Sequence, residues 1–291
     1  MIPRFAHRRP RSLADAFAAF DAAGGDCAWY AGGTELLAVM KMGFAQFGTL
    51  IDLKSVPELG GISADADGAL RIGATVTHRE IERSPHVLRH LPGLAALERE
   101  VANIRVRNTG TLGGNLAFAE PHSDPATFLL ACDARVELAG PAGAREMAID
   151  ELIVGPLTTS READELLVAI RVPAPAAGEG RAYAKLAFFE RPAASVGVRV
   201  RVVDGAIADA TVAVGSLTDL PIVLPAAGAA LAGLPAEPAA LDAGLGAAIA
   251  VLGEIDAIPD HNGSADYKRH LAGILLGRAV TQAVEEARAH A

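Results

Sequence analysis

Cysteine is scarce in this sequence, and its scarcity excludes several kinds of site. Only two of the 291 residues are cysteines, Cys27 and Cys132, and they lie far apart in the chain. They cannot form a Cys-x-x-Cys motif, and an iron–sulfur cluster usually needs four thiolates. We therefore expect neither a metal site nor a cluster on this chain, and a reducing cytoplasm is the simplest compartment for it.

Basic residues are scarce as well. Lys and Arg number 26 against 35 for Asp and Glu, which gives a formal net charge of −9. A protein that binds nucleic acid normally carries a basic surface, so this charge argues against such a partner. None of the lysines follows a glycine, as a P-loop lysine must. Any phosphate would therefore have to be bound mainly by backbone N–H groups.

Long apolar runs are missing too. No stretch of about eighteen apolar residues free of charge and proline occurs, which is the length that a transmembrane helix needs. The N-terminus, Met1-Ile2-Pro3-Arg4-Phe5, lacks the apolar segment of a secretory signal. Hydrophobic residues make up 51% of the chain but aromatic ones only 4%, so aliphatic side chains must build most of the core. These features predict a globular protein without a membrane span or an export signal.

Two glycine-rich turns stand out among the features that are present. Ala31-Gly32-Gly33-Thr34 follows a strand predicted at residues 28–30 and precedes a predicted helix. Thr109-Gly110-Thr111-Leu112-Gly113-Gly114-Asn115 follows a helix predicted at residues 93–104. Glycine lets a ligand approach the backbone, and successive N–H groups in such turns can bind phosphate oxygens. Two ordinary tight turns explain the pattern equally well.

The residues after the second turn offer further candidates. Asp124 precedes Pro125, which favours a role as helix N-cap, and the alternative is that Asp124 faces a ligand. His122, Ser123 and Asp124 are the residue types of a hydrolase triad, but adjacent side chains point apart. No Gly-x-Ser-x-Gly motif occurs in the sequence. The sequence therefore argues against a serine hydrolase.

Taken in order, these motifs resemble the flavoprotein (medium) subunit of molybdenum hydroxylases, a family that includes carbon monoxide dehydrogenase and bacterial relatives of xanthine dehydrogenase. Ala31-Gly32-Gly33-Thr34-Glu35-Leu36-Leu37 is similar to the first FAD loop of that family, and residues 109–115 are similar to the second. Ser123-Asp124-Pro125 falls where the family has a flavin-site aspartate. The tail Gly263-Ser264-Ala265-Asp266-Tyr267-Lys268-Arg269-His270-Leu271 resembles its C-terminal helix, so the likeness spans nearly the whole chain.

The resemblance implies an α+β protein with an FAD-binding fold of the vanillyl-alcohol-oxidase type. Residues 1–55 would form an N-terminal α/β FAD-binding subdomain, and residues 56–175 would form a second one. Residues 176–291 would form a C-terminal α+β subdomain that covers the flavin. The sequence itself favours the second boundary, because Pro, Ala and Gly dominate residues 173–180. Beyond it, Asp204-Gly205 predicts a hairpin turn.

The resemblance also implies which residues bind the cofactor. Residues 32–36 and 111–115 would hold the pyrophosphate and adjacent sugar, Asp124 would lie near the adenosine or ribityl part, and Lys185 near the flavin. The full set of expected cofactor-binding residues is Ala31, Gly32, Gly33, Thr34, Glu35, Leu36, Thr109, Thr111, Leu112, Gly113, Gly114, Asn115, Asp124 and Lys185.

The implied function is electron transfer. A large subunit with a molybdenum-pterin cofactor would hydroxylate the substrate, and two [2Fe–2S] clusters on a small subunit would pass electrons to FAD on this chain. This chain would need no catalytic acid, base or nucleophile. The complex would be a dimer of heterotrimers in the cytoplasm or at the inner face of the membrane. Two alternatives stay open: a self-contained flavin oxidase, and a non-catalytic α/β binding protein whose glycine turns are structural.

Overall fold

The N-terminal part of the chain contains a three-stranded parallel sheet. The computed structural model describes residues 2–289, so Met1 and residues 290–291, at the outer ends of the predicted subdomains 1–55 and 176–291, lie outside it. The sheet consists of β1 (Ala6–Arg8), β2 (Cys27–Tyr30) and β3 (Thr49–Asp52), in the order β1–β3–β2. Parallel strands need crossover connections, and α1 (Leu13–Ala22) and α2 (Leu36–Met42) supply two of them.

An antiparallel sheet of five strands forms the middle of the chain. Its strands are β4 (Ile62–Ala64), β5 (Leu70–Gly73), β6 (Arg135–Gly140), β7 (Gly143–Ala148) and β10 (Leu166–Val172), in the order β4–β5–β10–β6–β7. Between β5 and β6 the chain forms α3 (His78–Arg83), α4 (Pro85–His90), α5 (Pro92–Glu100), α6 (Ile104–Arg107), α7 (Leu112–Phe118) and α8 (Asp124–Ala131). Between β7 and β10 lie α9 (Ile149–Leu152), β8 (Ile153–Gly155) and β9 (Thr158–Thr159).

The helix predicted at residues 93–104 is wrong in its extent, because the structure has two helices there. The first, α5, ends at Glu100, and Ala102 then adopts a positive φ of 42°. Asn103 starts α6, since its side-chain oxygen accepts hydrogen bonds from the N–H groups of Arg105 and Val106 at 2.9 and 3.3 Å. A second N-cap therefore divides the segment that the sequence predicted as one helix.

A four-stranded antiparallel sheet follows in the C-terminal part. It consists of β11 (Glu179–Ala187), β12 (Pro192–Val203), β13 (Ala206–Gly215) and β14 (Ile222–Val223) in sequential order. The predicted hairpin is confirmed, with Asp204 and Gly205 at φ 50° and 77° between β12 and β13. The remaining helices are α10 (Pro225–Leu231), α11 (Pro238–Gly244), α12 (Gly246–Gly253) and α13 (Ala265–Ala289). No helix within residues 2–289 is both long and apolar enough to cross a membrane.

Helices cover both faces of the C-terminal sheet, and glycines let them approach closely. Helix α13 packs on β11 and β12, and α8 packs on β12 and β13. A Cβ on Gly180 would lie 1.9 Å from the carbonyl oxygen of Ala283 in α13. A Cβ on Gly197 would lie 2.9 Å from the carbonyl oxygen of Thr127 in α8. Helix α8 therefore links this sheet to the second glycine turn, which precedes it in the chain.

We expect Gly180→Ala to destabilise the protein by about 1–3 kcal/mol or more, because the added methyl group must push the backbone of α13 away from the sheet. Urea unfolding followed by circular dichroism would measure the change. Gly253→Ala is the matched control, since a Cβ there meets no atom within 4 Å. Equal midpoints for the two variants would contradict the packing argument.

Candidate functional site at two glycine turns

The two glycine turns that stand out in the sequence are in direct contact. A Cβ on Gly32 would lie 2.2 Å from the carbonyl oxygen of Thr109 and 2.7 Å from the Cα of Gly110. Only glycine at position 32 therefore allows the first turn to lie against the second. Gly33 adopts a φ of 71°, and the ring of Tyr30 occupies the space where its side chain would be. The contact fixes both turns at one place in the fold.

The first turn keeps its backbone donors available. The N–H groups of Gly32, Gly33 and Thr34 make no hydrogen bond to another residue between 2 and 289. Helix α2 begins only at Leu36 and is seven residues long, so the turn itself supplies these donors. Three adjacent unpaired N–H groups are suited to bind an anionic oxygen.

The second turn is anchored more firmly. The N–H groups of Leu112 and Gly113 donate to the carbonyl oxygens of Val76 and Ala74 at 3.1 and 3.0 Å. Thr111 caps α7, because its hydroxyl oxygen accepts a hydrogen bond from the N–H of Gly114 at 3.1 Å. A Cβ on Gly114 would lie 2.8 Å from the Thr111 hydroxyl, and beyond its own helix and chain neighbours it would meet no other atom of residues 2–289 within 4 Å. The space beyond Gly114 is therefore open.

That open space is a cavity of about 1070 Å³, slightly larger than the range of about 300–1,000 Å³ typical of small-molecule sites. Phe20 and Trp29, whose rings stack with centroids 4.9 Å apart, line one part of it. Of the predicted site residues, those in its wall are Ala31, Gly32, Gly33, Thr34, Glu35, Leu36, Thr111, Gly113, Gly114, Asn115 and Asp124.

Three predicted site residues lie behind the cavity wall. The hydroxyl of Thr109 donates to the carbonyl oxygen of Arg105 at 2.9 Å, and its own carbonyl faces Gly32. Leu112 is fully buried in the hydrophobic core. Lys185 lies behind Asp124, with its ammonium 2.7 Å from a carboxylate oxygen. These residues support the wall from behind.

Asp124 is held by the C-terminal sheet. Its two oxygens accept hydrogen bonds from the Tyr183 hydroxyl at 2.5 Å and from Lys185 at 2.7 Å. Burial raises the pKa of Asp124 above its usual value, although Lys185 and Tyr183 oppose that shift. The prediction that Asp124 caps α8 is wrong, because Ser123 accepts the hydrogen bond from the N–H of Ala126 at 3.2 Å. Asp124 is thereby free to pair with Lys185.

His78 and Glu98 form a second buried pair next to the cavity. The Nδ1 atom of His78 lies 2.6 Å from a carboxylate oxygen of Glu98, which is fully buried. Burial disfavours the protonated imidazole, but Glu98 outweighs this effect and raises the pKa of His78. The N–H of His78 also donates to the carbonyl oxygen of Gly110 at 3.1 Å. Helix α3 is thus fastened to the second glycine turn.

A series of charged side chains begins in the cavity wall and continues to the C-terminal helix α13, joining distant parts of the chain. We call it the mouth network, and successive N–O distances along it are 3.8, 3.5, 3.0, 3.1 and 2.9 Å. Its members, in order, are Glu35, Arg191, Glu120, His122, Asp260 and Lys268.

His122 lies at the centre of the mouth network, between two carboxylates. The hydrogen bond to Glu120 raises the pKa of His122, burial opposes the shift, and Asp260 adds to it. Ser123 bonds to Asn115 and Asp124 pairs with Lys185, so three adjacent side chains make three separate connections. The three side chains therefore point to different partners, as expected of adjacent residues.

Within residues 2–289, no three His, Cys, Asp or Glu side chains come close enough together to hold a metal ion. Both cysteines are buried and free, and burial raises the pKa of Cys132 to about 12. That thiol stays protonated and is therefore a poor nucleophile.

Comparison with known families identifies the kind of protein to which this site belongs. Residues 3–175, which include both glycine turns, match the family model described as the FAD binding domain in molybdopterin dehydrogenase. The chain belongs to that family. Residues 190–283 match the CO dehydrogenase flavoprotein C-terminal domain. The family resemblance inferred from the motifs is thereby confirmed.

Relatives of this flavoprotein extend over its whole length. The carbon monoxide dehydrogenase medium chain of Hydrogenophaga pseudoflava is 34% identical over 97% of this chain and 97% of its own. The nicotine 6-hydroxylase medium subunit of Paenarthrobacter nicotinovorans is 34% identical over 97% of this chain and 98% of its own. A solved carbon monoxide dehydrogenase from H. pseudoflava, lacking the Mo-pyranopterin moiety, superposes with a TM-score of 0.91 at 34% identity, covering 98% of this chain and 99% of the other. The mixed α/β fold is therefore that of the medium chain.

Sequence reasoning missed two pairs at the site of this flavoprotein. His78 follows Thr77, which forms a capping box with Glu80, and no local sequence pattern joins His78 to Glu98. The bond between Ser123 and Asn115 joins two motifs that were considered separately. Both pairs form because the helices between β5 and β6 pack together.

Proposed function

We propose that this chain is the FAD-carrying electron-transfer subunit of a heteromeric molybdenum hydroxylase. The observation that carries the proposal is the contact between the two glycine turns, which exposes the N–H groups of Gly32, Gly33 and Thr34 to a large cavity. Membership in the family of molybdopterin dehydrogenase FAD-binding domains supports FAD as the occupant.

The residues present fit an anionic dinucleotide. In a chain with a net charge of −9, neutral backbone donors bind a pyrophosphate without help from a lysine. Residues 32–36 hold it from one side, and Thr111, Gly114 and Asn115 face it from the other. The stacked rings of Phe20 and Trp29 suit a planar heterocycle. Bound FAD supplies the chemistry of accepting electrons singly and releasing them as a pair.

The remaining predicted site residues act as supports for this cofactor. Thr109 lies directly behind Gly32, and Leu112 anchors the second turn in the core. Asp124 contributes a carboxyl group to the wall, and Lys185 holds that group in place. The pocket therefore needs no catalytic acid, base or nucleophile of its own for electron transfer.

The fold is of the vanillyl-alcohol-oxidase type in this proposal. Residues 1–55 and 56–175 are the two FAD-binding subdomains, and residues 176–291 are the subdomain that covers the flavin. The covering role is supported by five residues of the last segment that lie in the cavity wall, namely Phe189, Glu190, Arg191, His261 and Asn262.

Partner subunits supply the rest of the electron path. The relatives are named medium chains or medium subunits, which supports a small subunit with two [2Fe–2S] clusters and a large subunit with the molybdenum-pterin cofactor. We propose a dimer of such heterotrimers in the cytoplasm. Two relatives, named for carbon monoxide and for nicotine, share the same 34% sequence identity with this chain. Sequence identity therefore does not indicate the substrate of the large subunit.

We expect the purified chain to bind one FAD and to absorb at about 370 and about 450 nm, as flavoproteins do. Co-expression with the proposed small and large subunits should give a complex that contains iron and molybdenum. A folded chain that does not bind FAD would instead support a structural role for the glycine turns. A monomer that oxidises an organic substrate without partners would support a self-contained oxidase.

A further inference from the structure

Ser123 makes two hydrogen bonds through one hydroxyl group. The oxygen accepts from the N–H of Ala126 at 3.2 Å, at the start of α8. The hydroxyl donates to the side-chain oxygen of Asn115 in the second glycine turn at 2.6 Å. Ser123 is only 5% exposed, so water has little access to it. The group therefore connects the N-terminus of α8 to the cofactor loop.

This arrangement fixes which way the Asn115 amide points. In the reverse orientation the Asn115 nitrogen would donate to Ser123, and the serine proton would lose its only acceptor within residues 2–289. An unpaired buried hydroxyl is strongly disfavoured. The Asn115 oxygen therefore faces Ser123, and its nitrogen makes no hydrogen bond to a described residue. Because Asn115 lies in the cavity wall, that nitrogen is available to a ligand.

We propose that Ser123 is a positioning residue for FAD: it orients Asn115 so that the amide presents two N–H donors to the cavity. The inference rests on the proposed function and specifies one contact within it. The Asn115 donors select an anionic or carbonyl oxygen of the cofactor and disfavour a hydroxyl donor at that position. Ser123 itself does not need to touch FAD.

A double-mutant cycle on the dissociation constant of FAD tests this role, with apoprotein titrated by FAD and followed by flavin fluorescence. Ser123→Ala should weaken binding by about fivefold to tenfold, and Asn115→Ala by a similar or larger factor. The double variant should bind as Asn115→Ala does, within about twofold, because no amide remains to be oriented. If the double variant weakened FAD binding by the product of the two single-variant factors, the proposal would be overturned.

Two further variants separate positioning from helix capping. Ser123→Thr keeps both hydrogen bonds and should restore affinity. Ser84→Ala removes a comparable buried cap, the one that accepts from the N–H of Val87 at 3.4 Å in α4, away from the cavity. It should lower the unfolding midpoint and leave FAD affinity unchanged. If Ser84→Ala weakened FAD binding as much as Ser123→Ala, the effect would be one of stability and the positioning role would be rejected.

The polarity of the amide has its own test. Asn115→Asp keeps an acceptor for Ser123 but turns an oxygen toward the cavity, so it should weaken FAD binding more than Asn115→Ala does. A milder loss with aspartate would mean that Asn115 presents its oxygen to the ligand, and would overturn the inference. A wild-type chain that does not bind FAD would refute the proposed function instead, so the two failures are distinguishable.

Discussion

Gly114→Val is expected to give a folded protein whose affinity for FAD is lower by about a hundredfold or more. Such a protein should be purified without FAD. The valine methyl groups would project into the cavity, because a Cβ at this position meets only the Thr111 hydroxyl. They would occupy the volume in which the proposed pyrophosphate approaches the backbone. FAD content after purification and titration of the apoprotein would measure the loss.

The fold should tolerate this change. Valine is a better helix former than glycine, which offsets part of the roughly 1 kcal/mol lost if the Thr111 cap is disturbed. Gly246→Val is the matched control, since Gly246 lies in α12 and a Cβ there would meet no atom within 4 Å. That variant should bind FAD normally. Full FAD occupancy in folded Gly114→Val protein would show that the cofactor does not approach this turn.

Asp260→Asn is expected to lower the free energy of unfolding by about 2 kcal/mol at neutral pH, because asparagine mimics the neutral form of the carboxyl group. Asp260 pairs with Lys268 at 2.9 Å and with His122 at 3.1 Å. Lys268 is only 1% exposed, and among residues 2–289 its ammonium group without Asp260 keeps just the carbonyl oxygen of Ile258. Urea unfolding would measure the loss. Asp260→Asn combined with Lys268→Met should recover part of it, because the buried charge is then removed.

The difference between wild type and Asp260→Asn should shrink in acid. Burial opposes ionisation of Asp260, but hydrogen bonds from Lys268 and His122 lower its pKa from 3.8 to about 2. The carboxylate therefore contributes stability above pH 3.8 that is lost as the pH falls toward about 2, at most about 2 kcal/mol. His122, whose pKa is raised, contributes stability at low pH that is lost as the pH rises through its folded pKa. A difference that stays constant from pH 5 to pH 3 would contradict this assignment.

Local sequence signals predicted the elements that carry the site. The strand at residues 28–30 is β2, and the hairpin turn at Asp204-Gly205 has the positive φ values that this pair favours. Such features depend on a few adjacent residues, so a sequence pattern can identify them. The helix at residues 93–104 and the cap of α8 were predicted less well. Asn103 starts a second helix inside the first of these segments, and Ser123, beside Asp124, caps α8.

The charged contacts around the cavity could not be predicted in the same way. The mouth network joins Glu35 to Lys268 through elements that are remote in sequence, and His78 finds Glu98 only after α3 and α5 pack. Each of these residues looks like an ordinary surface position when its neighbours in sequence are viewed alone. Burial and pairing depend on the packing of whole helices and sheets, which no short motif encodes.

By itself, the sequence determined that this chain has two glycine turns, few cysteines and an excess of acidic residues, so a phosphate ligand had to be bound by neutral backbone groups. The tertiary structure decided that the turns form one site. Gly32 lacks the Cβ that would collide with Thr109, and this is a local property of the sequence. That Thr109 lies opposite Gly32 is a long-range property, because it depends on how α3 and the residues between β5 and α3 hold the second turn through Gly110, Leu112 and Gly113.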